Sequence, residues 1–129
     1  MHAAGEGPVS LLHVQKAQAV EQIIRKDFEK WHTVEELATM VGLTELQLQT
    51  AFKSVYGKTA GAYSREARLK YAHEQLEQTD APLRVVCEQV GYPDPSNFSV
   101  AFLKQFGYRP GEIQRRRKAS LPYPLPLRL

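Results

Sequence analysis

AFKSVYGKTAG, residues Ala51 to Gly61, returns fifty positions later as AFLKQFGYRPG, residues Ala101 to Gly111, with alanine, phenylalanine and both glycines in register. The likeness extends upstream of each copy. Before the first, Thr33 with Glu36 forms a capping box for a short helix through Leu37, Ala38 and Met40 that Gly42 interrupts. Thr44 with Gln47 then opens a longer helix that buries Leu48, Ala51, Phe52 and Val55 before Gly57 ends it. Before the second, PLRVVCEQVG supplies a short helix through Val86 and Cys87, and Gly91 sits in the turn. Asp94 is a natural N-cap with Pro95 at the first helical position, and Phe98, Ala101, Phe102 and Phe106 form the buried stripe. The offset between copies is 49 at the turn glycines (Gly42, Gly91) and 50 beyond them (Phe52, Phe102), so the turn GYPDPS carries one extra residue. Loops accept such insertions and packed helices do not.

A short helix, a glycine turn and a longer helix make the pattern of a helix-turn-helix, here duplicated. The small residues Ala38 and Cys87 let the second helix of each copy cross closely. The turn glycine reaches a backbone angle that other residues adopt only with strain. Ahead of the first copy, Val20, Ile23, Ile24, Phe28 and Trp31 recur at spacings of three and four, which predicts a helix over Gln15 to Trp31. Between the copies, Ala60 to Gln78 predicts a linker helix ~28 Å long at ~1.5 Å per residue, close to the ~34 Å between successive major grooves on one face of DNA. The alternation that strands need is absent, so the fold class is all-α. The expected organisation is a linker or tail over 1–14, a first helix-turn-helix subdomain over 15–59, the linker helix over 60–78, a second subdomain over 79–118 and an extended tail over 119–129 ending in LPYPLPLRL.

Composition is that of an ordinary globular chain: of 129 residues, 43% are hydrophobic, 24% charged and 9% aromatic, with no 18-residue apolar run and no signal-peptide pattern at the start. No membrane partner is expected, and the expected compartment is the cytoplasm. Cys87 stands alone, the four histidines fall at no metal-ligand spacing, and neither a nucleophile with its base nor a phosphate loop is visible. No catalytic residue, metal or cofactor is therefore expected. Cys87 reads as a small core residue matching Ala38, and the Tyr56, Phe98, Phe102 and Phe106 stripe as core. The net charge of +3 is unevenly placed: Lys16 to Thr59 holds six basic and six acidic side chains, and Ala60 to Leu129 holds eleven against seven, with Arg115, Arg116, Arg117 and Lys118 in a row. Such an excess points toward a polyanion.

The stretches TVEELATMVGLTELQLQTAFKSVYG and GYPDPSNFSVAFLKQFGYRPGE, with Arg68, Leu69, Ala72 and Leu76 between them, resemble the DNA-binding domain of the AraC/XylS transcription regulators over about Gln15 to Arg117. The resemblance implies about seven helices in two homeodomain-like subdomains joined by a linker helix. It also implies sequence-specific binding of double-stranded DNA, both recognition helices entering adjacent major-groove segments, and regulation of transcription. RNA polymerase is a further partner in view, and the segment is expected to act on DNA as a monomer. Most relatives carry a separate sensor or dimerisation domain for which 129 residues leave no room, so the chain is expected to be either a fragment of a longer regulator or a short regulator acting alone.

The buried stripes leave Leu46, Gln47, Gln49, Thr50 and Lys53 as the reading face of the first recognition helix, and Pro95, Ser96, Asn97, Ser99, Val100 and Leu103 as that of the second. Gln49 and Asn97 have amide geometry for adenine, and Leu46 and Val100 suit thymine methyls. Where many relatives carry arginine this chain has Val100, so a guanine-reading fork is missing. Phosphate contacts are expected from the helix starts at Thr33 and Leu83 and from Lys53, Arg65, Arg68, Lys104 and Arg109. Arg68 has an alternative role as an internal brace through carboxylates. The rival function is a protein-interaction module of the same fold, using Glu35, Glu36 and Glu45.

Overall fold

The computed structural model describes residues 9–119. Among them seven helices follow in order, with no strand: α1 (Leu11–Lys26), α2 (Val34–Val41), α3 (Glu45–Tyr56), α4 (Ala60–Gln78), α5 (Leu83–Gln89), α6 (Pro95–Phe106) and α7 (Pro110–Lys118). Of the two expected tails, residues 1–8 and 120–129 lie outside the described residues. The described residues divide into two compact units, one taking 9–27 with Trp31–Arg65, the other Phe28–Lys30 with 66–119.

In the first unit α1 starts earlier than the apolar periodicity suggests, because Ser10 caps it by accepting a hydrogen bond from the His13 amide at 3.1 Å. It also stops earlier, at Lys26, with Asp27 extended. Ala17, Val20 and Ile24 are its buried stripe, packed on α2 and α3. Phe28 and Trp31 therefore do not continue that stripe: Phe28 belongs to the second unit and Trp31 is 46% exposed. Both capping boxes form. Thr33 accepts from the Glu36 amide while Glu36 accepts from the Thr33 amide, and Thr44 and Gln47 do the same. Gly42 lies in the left-handed region at φ +72°, where a side chain would be strained. Leu48, Ala51 and Phe52 are buried along α3, and the Phe52, Tyr56 and Tyr63 rings meet at centroid distances of 4.5 to 5.4 Å.

The second unit repeats the design with different caps. Pro82 precedes α5, Gly91 turns at φ +75°, and Asp94 caps α6 by accepting from the Ser96 amide at 2.9 Å, with Pro95 at the first helical position. Its core joins Leu69, Ala72 and Leu76 of α4 to Val86, Cys87, Phe98, Phe102 and Ile113. Cys87 is 1% exposed, as its counterpart Ala38 is 2% exposed, and burial pushes its thiol up to about 11. It is a packing residue. His73 stacks on Phe102 at 5.6 Å and shares a 2.7 Å hydrogen bond with the Tyr108 hydroxyl.

Phe52 and Phe102 hold equivalent places and are both 0% exposed. Phe52→Ala and Phe102→Ala should each lower stability by about 3–5 kcal/mol in denaturant titrations. A midpoint within error of the parent for either would contradict the alignment of the repeats.

Candidate nucleic-acid interface

The solvent side of α3 is narrower than the sequence pattern suggests. Leu46 is 62% exposed, and Gln47 and Lys53 are exposed, while Thr50 and Gln49 are half-buried. Gln49 is not a free base reader: its side-chain carbonyl accepts from the Ala60 amide at 3.1 Å, at the start of α4. That amide has no partner within its own helix, since the first four N–H groups of any helix lack one. Thr59 serves the Ala62 amide in the same way at 3.1 Å. Gln47 stays on the exposed face, but its oxygen is engaged by the Thr44 amide at 3.0 Å.

On α6, Pro95, Ser96, Asn97 and Val100 are exposed, Val100 at 62%, with Ser99 and Leu103 half-buried. Lys104, a turn beyond Val100, is the one charged residue of this helix. The Asn97 side chain has no hydrogen-bond partner among the described residues, whereas Gln105 donates to the Glu66 carbonyl at 3.1 Å.

The cations expected at phosphates divide. Lys53, Arg65, Lys104 and Arg109 are exposed, Arg109 as the N-cap of α7. Arg68 is 1% exposed, so a phosphate cannot reach it. Its guanidinium donates to the backbone carbonyls of Phe28, Val90 (3.2 Å) and Lys30 (2.6 Å), and it lies 5.7 Å from the Phe28 ring centre. The brace runs through carbonyls, not the carboxylates the alternative named. The signal was present in the spacing, since Arg68 falls on the face of α4 that carries Leu69, Ala72 and Leu76.

The helix starts differ too. At α2 the Thr33 box holds Glu36, and Glu35 stands beside it, which disfavours an anion; at α5 no side chain caps the turn that begins with Leu83. The basic row on α7 is largely engaged by neighbouring carboxylates at the surface. Arg115 and Arg116 both bind Glu112, the latter at 3.0 Å, and Arg117 binds Asp80 and the Thr79 carbonyl. These arginines, Arg115 foremost and then Arg116, hold the Glu112 carboxyl down from its ordinary 4.5 to about 2. Among the described residues no helix is long and apolar enough to cross a membrane, and no cluster of His, Cys, Asp and Glu is suited to a metal.

Residues 37–116 match a family of helix-turn-helix domains. The chain is similar to the RCS-specific HTH-type transcriptional activator RclR of Escherichia coli K12, at 31% identity over 87% of this chain and 39% of that protein. It is also similar to the regulatory protein SoxS of Salmonella typhimurium LT2, at 27% identity over 81% of this chain and 97% of that one. The chain thus spans well under half of RclR and nearly the whole of SoxS. Among solved structures, the DNA-binding domain of the global transcriptional factor AdpA, in complex with a target DNA, superposes with a TM-score of 0.72 at 22% identity, over 81% of this chain and 94% of that one.

Arg68→Ala should lower stability by about 3 kcal/mol or more, because three carbonyls lose their donor. Arg68→Lys should restore only part of it, a single ammonium being unable to span the fork. A phosphate role would instead leave stability alone and flatten the salt dependence of DNA binding by about one unit. For Glu112, whose pKa is lowered on folding, the stabilising contribution is present above about 4.5 and is lost as pH falls through about 2. Its carboxyl resonance should titrate near 2, and a midpoint at 4.5 would show that the arginine pair is absent in solution.

Proposed function

Because the chain belongs to the AraC/XylS family of transcription regulators, we propose that it binds double-stranded DNA sequence-specifically and regulates transcription, with α3 and α6 as the helices that enter major-groove segments. One observation carries the reading: each of these helices buries an apolar stripe on one side, Leu48, Ala51 and Phe52 on α3 and Phe98 and Phe102 on α6, and displays on the other a 62%-exposed aliphatic residue, Leu46 or Val100, among polar groups. An aliphatic side chain gains nothing in water, but against a base edge it covers a methyl group. Leu46, Gln47, Thr50 and Lys53 form the first reading set, and Pro95, Ser96, Asn97, Ser99 and Val100 the second.

Phosphates are held by Lys53, Arg65, Lys104 and Arg109 and by the open turn at Leu83, with the Thr33 turn a weaker site. Such contacts orient a protein on the duplex and carry no sequence information. Two reading helices in one chain let a monomer address a non-palindromic site. Regulation then requires RNA polymerase as a second partner, and the cytoplasm is where both are met. No reaction chemistry is assigned to the chain.

Anisotropy on a random duplex and on a site recovered from a random pool should show binding to both, tighter to the recovered site, and weaker as salt rises. Four cationic contacts correspond to a slope of about −4 in log K against log salt, and Lys104→Ala should flatten it by about one unit. Binding that ignores salt, or no binding, would overturn the proposal.

A further inference from the structure

The two reading helices carry an amide at the same place in the repeat, Gln47 on α3 and Asn97 on α6, and the structure treats them differently. Gln47 folds back onto its own cap, accepting from the Thr44 amide at 3.0 Å, and the neighbouring Gln49 is held by the Ala60 amide at 3.1 Å. A glutamine in either position would have to leave its helix cap to reach a base. Asn97 is a methylene shorter than the glutamine or glutamate that a capping box requires. Asp94 caps α6 through the Ser96 amide instead, so Asn97 is exposed and unpartnered among the described residues. Val100, three residues on and therefore on the same face of the helix, is 62% exposed. Nothing charged interrupts that face before Lys104.

We infer that α6 specifies an A·T step: the Asn97 amide donates to adenine N7 and accepts from its N6 amino group while Val100 packs against a thymine methyl, and α3 contributes no bidentate adenine contact. The inference rests on the DNA-binding reading above and narrows it to a base chemistry. Without a guanidinium fork the second helix loses guanine, yet it keeps the one reading amide that no helix cap occupies. Bidentate amide contact discriminates adenine from other bases because adenine alone pairs an N7 acceptor with an adjacent donor in the major groove.

The test uses the whole chain and a site selected from a random duplex pool. On that site, each thymine is replaced in turn by uracil, which removes only the methyl group, and each adenine by 7-deazaadenine, which removes only the N7 acceptor. For the parent, one uracil position should weaken binding about fourfold, and a deazaadenine in the same or the adjoining base pair by about fivefold or more. The uracil effect should vanish in Val100→Ala and the deazaadenine effect in Asn97→Ala, both at unchanged melting temperature since both residues are exposed. Gln47→Ala and Gln49→Ala should leave every deazaadenine effect in place. Val100→Arg should exchange the thymine preference for guanine at that position on reselection.

Duplex binding in which no uracil or deazaadenine effect depends on Val100 or Asn97 would overturn this inference and leave the DNA-binding reading standing. So would a deazaadenine effect abolished by Gln47→Ala or Gln49→Ala. Failure of the parent to bind any duplex at low salt would remove both.

Discussion

A guanidinium with almost no contact with water, donating to three carbonyls, sets the terms for much of the second unit. The carbonyls of Phe28 and Lys30 lie beyond the end of α1, in a segment with no helical ladder, and that of Val90 closes α5. Each is a group that regular structure leaves without a donor, and burying it unpaired is costly. A planar fork with five N–H groups meets all three from one side chain, which a hydroxyl or an ammonium cannot do. Phe28 then lies against both Arg68 and the Tyr71 ring, the latter at 5.6 Å, and so joins the core around Leu69 and Val90 in place of extending α1.

The same residue marks the limit of what periodicity reveals. Capping boxes at Thr33 and Thr44, the Asp94 and Pro95 start of α6, the span of α4 and the buried phenylalanines were all legible, because each depends on residues three or four apart along one helix. The limits of α1 were not, since they depend on Ser10 at one end and on the destination of Phe28 at the other. The partners of Arg68 and Gln49 were not legible for a related reason. Both are polar residues whose partners are backbone groups at distant positions, and a carbonyl or amide left over at a helix end has no residue-type signature. Arg68 did leave a trace in its spacing, an arginine on a stripe of Leu and Ala, which fits the brace but does not name its carbonyl partners.

Charge shows the difference between composition and available charge. The second half of the sequence has a basic excess, and its densest row, Arg115 to Arg117, is engaged by Glu112, Asp80 and the Thr79 carbonyl. Exposed ion pairs of this kind add little stability individually, but they determine which cations are free to meet a polyanion. The exposed cations of the proposed interface are fewer and scattered: Lys53, Arg65, Lys104 and Arg109. A count of basic residues therefore overstates the charge that this chain leaves open to a polyanion.

Duplication lets one copy of a motif keep a residue for structure while the other releases it for recognition. Thr44 and Asp94 occupy the same N-cap, but threonine invites a reciprocal partner at the third position and Gln47 supplies it, whereas aspartate satisfies the second amide alone with proline fixing the first turn. The amide three places past the cap is then free only in the second copy. Because the cap is met by other means, that position can vary without loosening the helix, and a change there alters the exposed face proposed to meet the groove while leaving the fold intact. The first copy has no such latitude at Gln47 or Gln49, where a new base preference would come at the expense of a helix start. If these helices read bases as proposed, a change of preference at the amide positions costs the fold less at Asn97 than at Gln47 or Gln49, for reasons set by capping.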